Sequence, residues 1–409
     1  MPTKNIIICS DGTGNTFDDS VSNVTRLVRL LDLDSQPMQE VAYDQGLGTD
    51  ARRLAAVEAY RRALAHPQAL EILAGPRTAR FNPIGIAARL AGLTAGYGLK
   101  DNVRQVYVAL TKMHVREDDR IFLFGFSRGA FTVRALAGLV YRCGLPSHHA
   151  SDPGSEWFDE AWALFQPMLP DEEAVARFRA RPGSRDVRIH FLGIWDTVKS
   201  YGGFVPIMLP HLRHNPIVAH VRHAVALDER RSWFNVTTWG QLDLDKTGAA
   251  TRLRAEDLPN FRAQTIEEVW FRGCHSDIGG GDVEECTARV TLRWMLAEAF
   301  ACGLRLTADG EAMIGQVDPT PTIHESLKKG WWTTEVMPRK EIDNSGVYPT
   351  RHLTYGRTGV RTPAELLRDK QFSVHVSAGV APSPQVRQVW TKTLDEAREQ
   401  AARMSVLEV

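Results

Sequence analysis

Short, wholly apolar runs recur along this chain, each released into a glycine-rich or polar turn and followed by apolar residues spaced three and four apart. Ile6-Ile7-Ile8-Cys9 is the first such run, and Ser10-Asp11-Gly12-Thr13-Gly14-Asn15 is the turn after it. Val24, Leu27, Val28, Leu30 and Leu31 then form the helical face that completes the unit. Val41-Ala42-Tyr43 predicts a second short strand. The region from about 50 to 100 mixes Ala/Arg-rich helical pattern with glycines and reads as a helical insertion. Asp101 opens a helix with Val103, Val106, Tyr107 and Leu110 on one face. Ile121 to Phe124, Val187 to Trp195 and Glu268 to Phe271 predict further strands, and a helix from about Thr287 to Phe300 closes the series. A continuous apolar run is the signature of a strand buried on both faces. The alternation over residues 1–305 therefore predicts an α/β fold with a doubly wound, mostly parallel sheet and helical insertions. Residues 306–409, with Trp331-Trp332, several prolines and a polar terminal helix, read as an extension packed on that core after the sheet is complete.

The sharpest chemical signal lies where one of these strands meets its helix. Gly125-Phe126-Ser127-Arg128-Gly129 places a GxSxG serine between the run ending at Phe124 and a helix carrying Phe131, Ala135, Leu139 and Val140 up to Gly144. That context is a nucleophile elbow, a turn sharp enough to expose a serine hydroxyl at the head of a helix. The Arg128 backbone N–H and the positive end of the helix dipole would face a developing oxyanion there.

A serine hydroxyl needs a histidine to take its proton and a carboxylate to orient that histidine. Asp196 follows the strand ending at Trp195, and His275 follows the strand ending at Phe271, so both are expected at the same sheet edge as Ser127. Asp228 and Asp277 compete as acids, with Asp277 better suited to fixing its loop; His324 and His375 are weaker bases than His275 because they follow the expected end of the sheet. A second oxyanion donor is expected from the turn after the first strand, from the amide of Gly12 or Thr13, with Asp11 pinning that turn. Cys274, beside His275, is the alternative nucleophile. The strand plus Asp-Gly-Thr-Gly also resembles a phosphate-cradling loop, so nucleotide or phosphate binding is the rival from another class. The phosphatase version of that turn fails because Cys9 stands where a nucleophilic aspartate belongs. A binding protein with a vestigial array is the third reading.

Composition narrows the setting. Lys+Arg and Asp+Glu both total 49 in 409 residues, and zero formal charge gives no reason to expect a nucleic acid partner. The N-terminus shows no signal-peptide core and the chain no membrane span, so a soluble, cytoplasmic protein is expected, with secretion lacking a signal peptide left open. The five cysteines are scattered without CxxC spacing and read as reduced thiols. His211, His214, His220 and His223 crowd one stretch, but their spacing offers no helical ligand pair, so no metal and no cofactor are expected.

Six motifs in order carry a resemblance to a known family. They are residues 11–15 and 43–49, Gly125 to Ala130, Gly193 to Val198, Arg222 to Arg231, and Trp270 to Gly281. Together they resemble an α/β-hydrolase family of largely unknown activity that includes the catalytic domains of type VI secretion phospholipase effectors. The resemblance implies an α/β-hydrolase fold with Ser127, Asp196 and His275 as the triad, hydrolysis of a lipid or phospholipid acyl ester, transient membrane contact, and a cognate immunity or inhibitor protein. A soluble carboxylesterase for smaller esters is the alternative. The aromatic segment Trp157 to Phe165 and the stretch Ile84 to Leu99 are candidate acyl-pocket linings, the latter as a lid.

Overall fold

Apolar runs without polar alternation become strands that give alternate side chains to two separate cores. In the computed structural model, β1 (Asn5–Ser10) sends Ile6 and Ile8 to one face and Ile7 and Cys9 to the other. After β1 the chain runs through α1 (Asn23–Leu30), β2 (Gln39–Asp44), β3 (Leu70–Leu73) and α2 (Ala95–Met113). The elbow strand β4 (Arg120–Phe126) divides its residues in the same way, Ile121 and Leu123 against Phe122, Phe124 and Phe126. The first core is closed by α2, α3 (Arg128–Cys143) and α4 (Glu156–Phe165). Beyond the short α5 (Glu172–Arg179) lie β5 (Ile189–Trp195), β6 (Val218–Ala226), α6 (Leu258–Ala263), β7 (Thr265–Phe271) and the five-residue α7 (His275–Gly279). The second core is closed by α1 and by α8 (Cys286–Ala301), which is followed by α9 (Ala308–Ile314). Helices thus cover both faces, as an all-parallel sheet requires.

The structure describes residues 4–12, 21–34, 37–45, 60–62, 64–73, 95–114, 116–147, 156–198, 201–202, 205–239, 254–281, 286–316 and 323–327, together with segments 339–343, 350–354, 372–375, 386–389 and 395–400. With β8 (Phe372–His375) and β9 (Val386–Val389), nine strands form one sheet in the order β9-β8-β7-β6-β5-β4-β1-β2-β3. Each pairing in it is parallel. The order reverses between β1 and β4, so their following loops diverge and open a crevice at the carboxyl edge. Ser10 pairs with Gly125 and Phe126 with Trp195, which sets the turn after β1, Ser127 and Asp196 side by side along that edge.

Four expectations are corrected. The stretch read as a helical insertion contains strand β3, and α2 starts at Ala95 rather than Asp101. The sheet is not complete by residue 305, because β8 and β9 extend its edge, and His375 lies in β8. The aromatic segment from Trp157 to Phe165 is core rather than pocket lining, with Phe158, Ala161, Trp162 and Phe165 buried against α3 and the sheet. The histidine-rich stretch holds a strand, β6, at the centre of the sheet's second half. Residues 84–94 of the proposed lid lie outside the described residues.

Candidate active site

Close packing makes the elbow. A Cβ on Gly129 would lie 2.0 Å from the Ser10 carbonyl oxygen, so only glycine lets α3 start this close to β1. Ser127 is the residue before α3 and takes φ 58°, ψ −119°, a conformation that L side chains rarely adopt. Its N–H donates to the Trp195 carbonyl at 3.1 Å, which ties the elbow to the end of β5. Asp196, one residue beyond that carbonyl, is fully buried with φ 38°. Its N–H donates to Ala224 O at 2.7 Å, and its Oδ1 accepts the Ala226 N–H at 2.9 Å. Both bonds run to β6, so the acid is fixed by the strand next to its own.

His275 begins α7, just past β7, and closes the array. Its Nδ1 lies 2.6 Å from Asp196 Oδ2 and its Nε2 2.8 Å from Ser127 Oγ. An ionised carboxylate only accepts, so the proton sits on Nδ1 and Nε2 is left to accept from the serine hydroxyl. Burial pushes the imidazole below its ordinary value of 6.5; Asp196 opposes this, Arg231 adds to it, and Glu229 opposes it. The ring lies between Phe126, at a centroid distance of 4.7 Å, and Phe234, edge-on at 4.9 Å. Ser127, Asp196 and His275, predicted as one constellation, are thus brought into one hydrogen-bonded chain from the ends of three different strands.

The other named residues divide. Asp277 accepts the Cys274 N–H at 2.8 Å and the His324 N–H at 3.0 Å, and its Oδ1 meets His324 Nδ1 at 2.5 Å. Asp277 and His324 therefore fix the loop around His275 and stand outside the serine chain. Asp228 holds Gly273 N–H and Arg272 Nε, each at 2.7 Å. Burial pushes the Cys274 thiol up to about 11, and its Sγ meets Ser276 Oγ at 3.4 Å rather than joining the serine chain. Asp11 gathers Thr25 Oγ1 at 3.1 Å and Tyr43 OH at 3.0 Å. Its Oδ1 also takes the Gly12 N–H at 2.6 Å, which occupies one of the two amides expected to hold an oxyanion; Thr13 lies outside the described residues. Arg128 stands at the first position of α3, and burial pushes its guanidinium down to about 10.

Three of the four clustered histidines go separate ways. His211 Nε2 faces Arg142, His220 Nδ1 faces Thr265, and His223 Nε2 accepts the Thr197 N–H at 3.2 Å. His223 and Glu229 are site residues that no sequence argument assigned a role. Both sit in the motif from Arg222 to Arg231, where the only signal was resemblance.

Fold and array define a doubly wound α/β protein with a nucleophile elbow and a Ser-His-Asp chain at the carboxyl edge of its sheet. This chain belongs to the family of Tle1-like phospholipase effector catalytic domains of the type VI secretion system, whose family model matches residues 4–298. Among curated proteins it is 33% identical over 418 residues to the uncharacterized protein YEL023C of Saccharomyces cerevisiae, covering 74% of this chain and 58% of that protein. The chain thus spans less than two thirds of that relative's length. Among solved structures, an uncharacterized protein from Pseudomonas aeruginosa aligns with TM-score 0.40 and 19% identity, over 76% of this chain and 48% of that one. The Tle1 effector bound to the VgrG spike aligns with TM-score 0.32 and 18% identity, over 69% of this chain and 52% of that one. Among the described residues no helix is long and apolar enough to cross a membrane.

Proposed function

We propose that this chain is a serine hydrolase that cleaves acyl esters of lipids through an acyl-enzyme on Ser127. The observation that carries the reading is the chain of contacts from Ser127 Oγ to His275 Nε2 at 2.8 Å and from His275 Nδ1 to Asp196 Oδ2 at 2.6 Å. In the first step Ser127 Oγ attacks the ester carbonyl as its proton passes to Nε2, and Asp196 stabilises the imidazolium. The tetrahedral oxyanion takes the Arg128 N–H at the head of α3 and a second amide from the turn after β1. Because the Gly12 N–H donates to Asp11, we assign that second role to Thr13. Collapse expels the alcohol, which leaves with the proton from Nε2. Water then attacks the acyl-enzyme, giving its proton to Nε2, and the acid is released as Ser127 is restored. Membership of a phospholipase-effector family supports a lipid as the ester.

The test is a fluorophosphonate probe on the full chain and on Ser127→Ala, beside p-nitrophenyl esters of increasing chain length and phospholipid vesicles analysed by mass spectrometry. Wild type is expected to be labelled and to release fatty acid from phospholipid, and Ser127→Ala to lose labelling and about a thousandfold or more of turnover. Labelling that survives in Ser127→Ala, or is absent from wild type, overturns the mechanism. Activity confined to short soluble esters overturns the lipid substrate and leaves a carboxylesterase.

A further inference from the structure

The segment after β6, Leu227-Asp228-Glu229-Arg230-Arg231, carries four charged residues and no part in the chemistry above. Asp228 clamps the corner at Gly273, and Arg230 reaches Glu325 at 2.8 Å. Glu229 and Arg231 do something else. Glu229 is 1% exposed, and its carboxylate accepts from His275 and Arg231. Its Oε2 accepts the His275 N–H at 3.1 Å and Arg231 Nη2 at 2.7 Å, and its Oε1 accepts the Arg231 N–H at 2.7 Å and Nε at 2.9 Å. The guanidinium held in this way lies 3.7 Å above the Phe234 ring centroid, and Phe234 meets the His275 ring edge-on at 4.9 Å. One ion pair thus reaches both the backbone and the ring of His275.

We propose that Glu229 and Arg231 are positioning residues that hold His275 in register with Ser127 and Asp196. The inference deepens the hydrolase reading and rests on it for the role of His275 as base.

Among the described residues, the polar and charged groups that face His275 are Ser127 at the elbow, Asp196 after β5, and Glu229 and Arg231 after β6. Asp196 and Glu229 favour the imidazolium, while burial and Arg231 disfavour it. Intact, the Glu229–Arg231 pair sets two opposed charges beside the imidazole, after burial and Asp196 in weight. Break the pair from either side and the survivor biases the base, in opposite directions for the two partners. The opposed shifts report the two charges at the ring, and the loss of kcat with KM preserved reports the positioning, which a pair that only supported the fold would not produce in a folded variant.

The experiment follows the His275 ring by NMR through a pH titration of the full chain, in wild type, Glu229→Gln, Arg231→Gln and the double variant, with kcat and KM for a p-nitrophenyl ester alongside. The His275 titration is expected to move to lower pH in Glu229→Gln, to higher pH in Arg231→Gln, and from the Glu229→Gln position back toward wild type when both charges are removed. Each single variant is expected to lose about tenfold in kcat with KM within about twofold of wild type. Arg231→Lys, which keeps the charge but not the bidentate fork, should keep the wild-type titration. Should Arg231→Gln not fold, Glu229→Gln and the double variant carry the comparison. An unmoved titration, a shift in Glu229→Gln that the second substitution fails to reverse, or an unchanged kcat overturns the inference. Titrations that move as stated in a wild type that hydrolyses no ester overturn the proposed reaction and leave the pairing standing.

Discussion

Ser127, Asp196 and His211 are the non-glycine residues with positive φ among those described, and two of the three belong to one hydrogen-bonded chain. Such backbone costs on the order of 1–3 kcal/mol per residue and persists only where the surroundings over-determine it. Here they do, through the Ser127 N–H to Trp195 bond and the two bonds from the Asp196 residue to β6. The imidazole between them must be neutral at Nε2 to accept the serine proton. Burial, the largest influence on it, lowers its affinity for that proton below the ordinary value of 6.5. The acid limb of kcat/KM for a p-nitrophenyl ester should therefore fall at a pH below 6.5 and remain flat through neutrality. A limb at or above 6.5 would mean that Asp196 outweighs burial and that this account of the electrostatics is wrong.

Elements carry the site because of how closely they approach one another, and that closeness can be tested at Gly129. Its missing side chain admits the backbone of Ser10 and Asp11 against the first turn of α3. A methyl group there meets main chain rather than a side chain able to swing away, so β1 and the elbow must separate. Gly129→Ala is expected to cost about 3 kcal/mol of stability and to lower kcat more than tenfold, roughly, in whatever fraction stays folded. A urea midpoint and a turnover number both equal to wild type would show that the elbow can relax. The same closeness explains what was readable in the sequence. β4 and α3 were legible because a two-faced apolar strand, a glycine-spaced turn and a helical period follow one another without interruption. Strand β6 was not, because its interior positions include Arg222 and His223. Those polar groups are tolerated because they find distant partners, among them Glu298 on Arg222 Nε at 2.6 Å and the Thr197 amide on His223, 76 and 26 residues away. β3 has four residues, and β8 and β9 have four each, too few for a period to emerge from their surroundings. The three members of the serine chain could be named because each follows a strand end. Glu229 could not, since its link to the site is a backbone amide 46 residues later.

For the molecule as a whole, the expected response to pH comes from a set of buried and half-buried histidines held in the neutral form on several elements. Burial brings His114, after α2, and His190, in β5, down to about 4. His211 goes to about 3 for the same reason, reinforced by Arg142 and Arg254, and burial also lowers His223 and His275. The unfolded chain binds protons at these side chains near 6.5, whereas the folded chain does not until the pH is much lower. Acid therefore favours unfolding. The stabilisation is fully present above 6.5 and is lost progressively as the pH falls from 6.5 toward the folded values of about 4. By about pH 5, each of His114 and His190 has withdrawn about 2 kcal/mol, a substantial part of the roughly 5–15 kcal/mol that holds a domain together. The ordinary carboxylates titrate below this window, so the histidines dominate within it. The urea midpoint should fall steeply between about pH 7 and about pH 5, and the slope should flatten in His114→Gln and His190→Gln, where the proton-binding group is gone from both states. A midpoint that holds constant over that interval in wild type would mean that these imidazoles reach water in the folded protein, and that the two cores flanking the sheet are wetter than the packing of β5 against α8 implies.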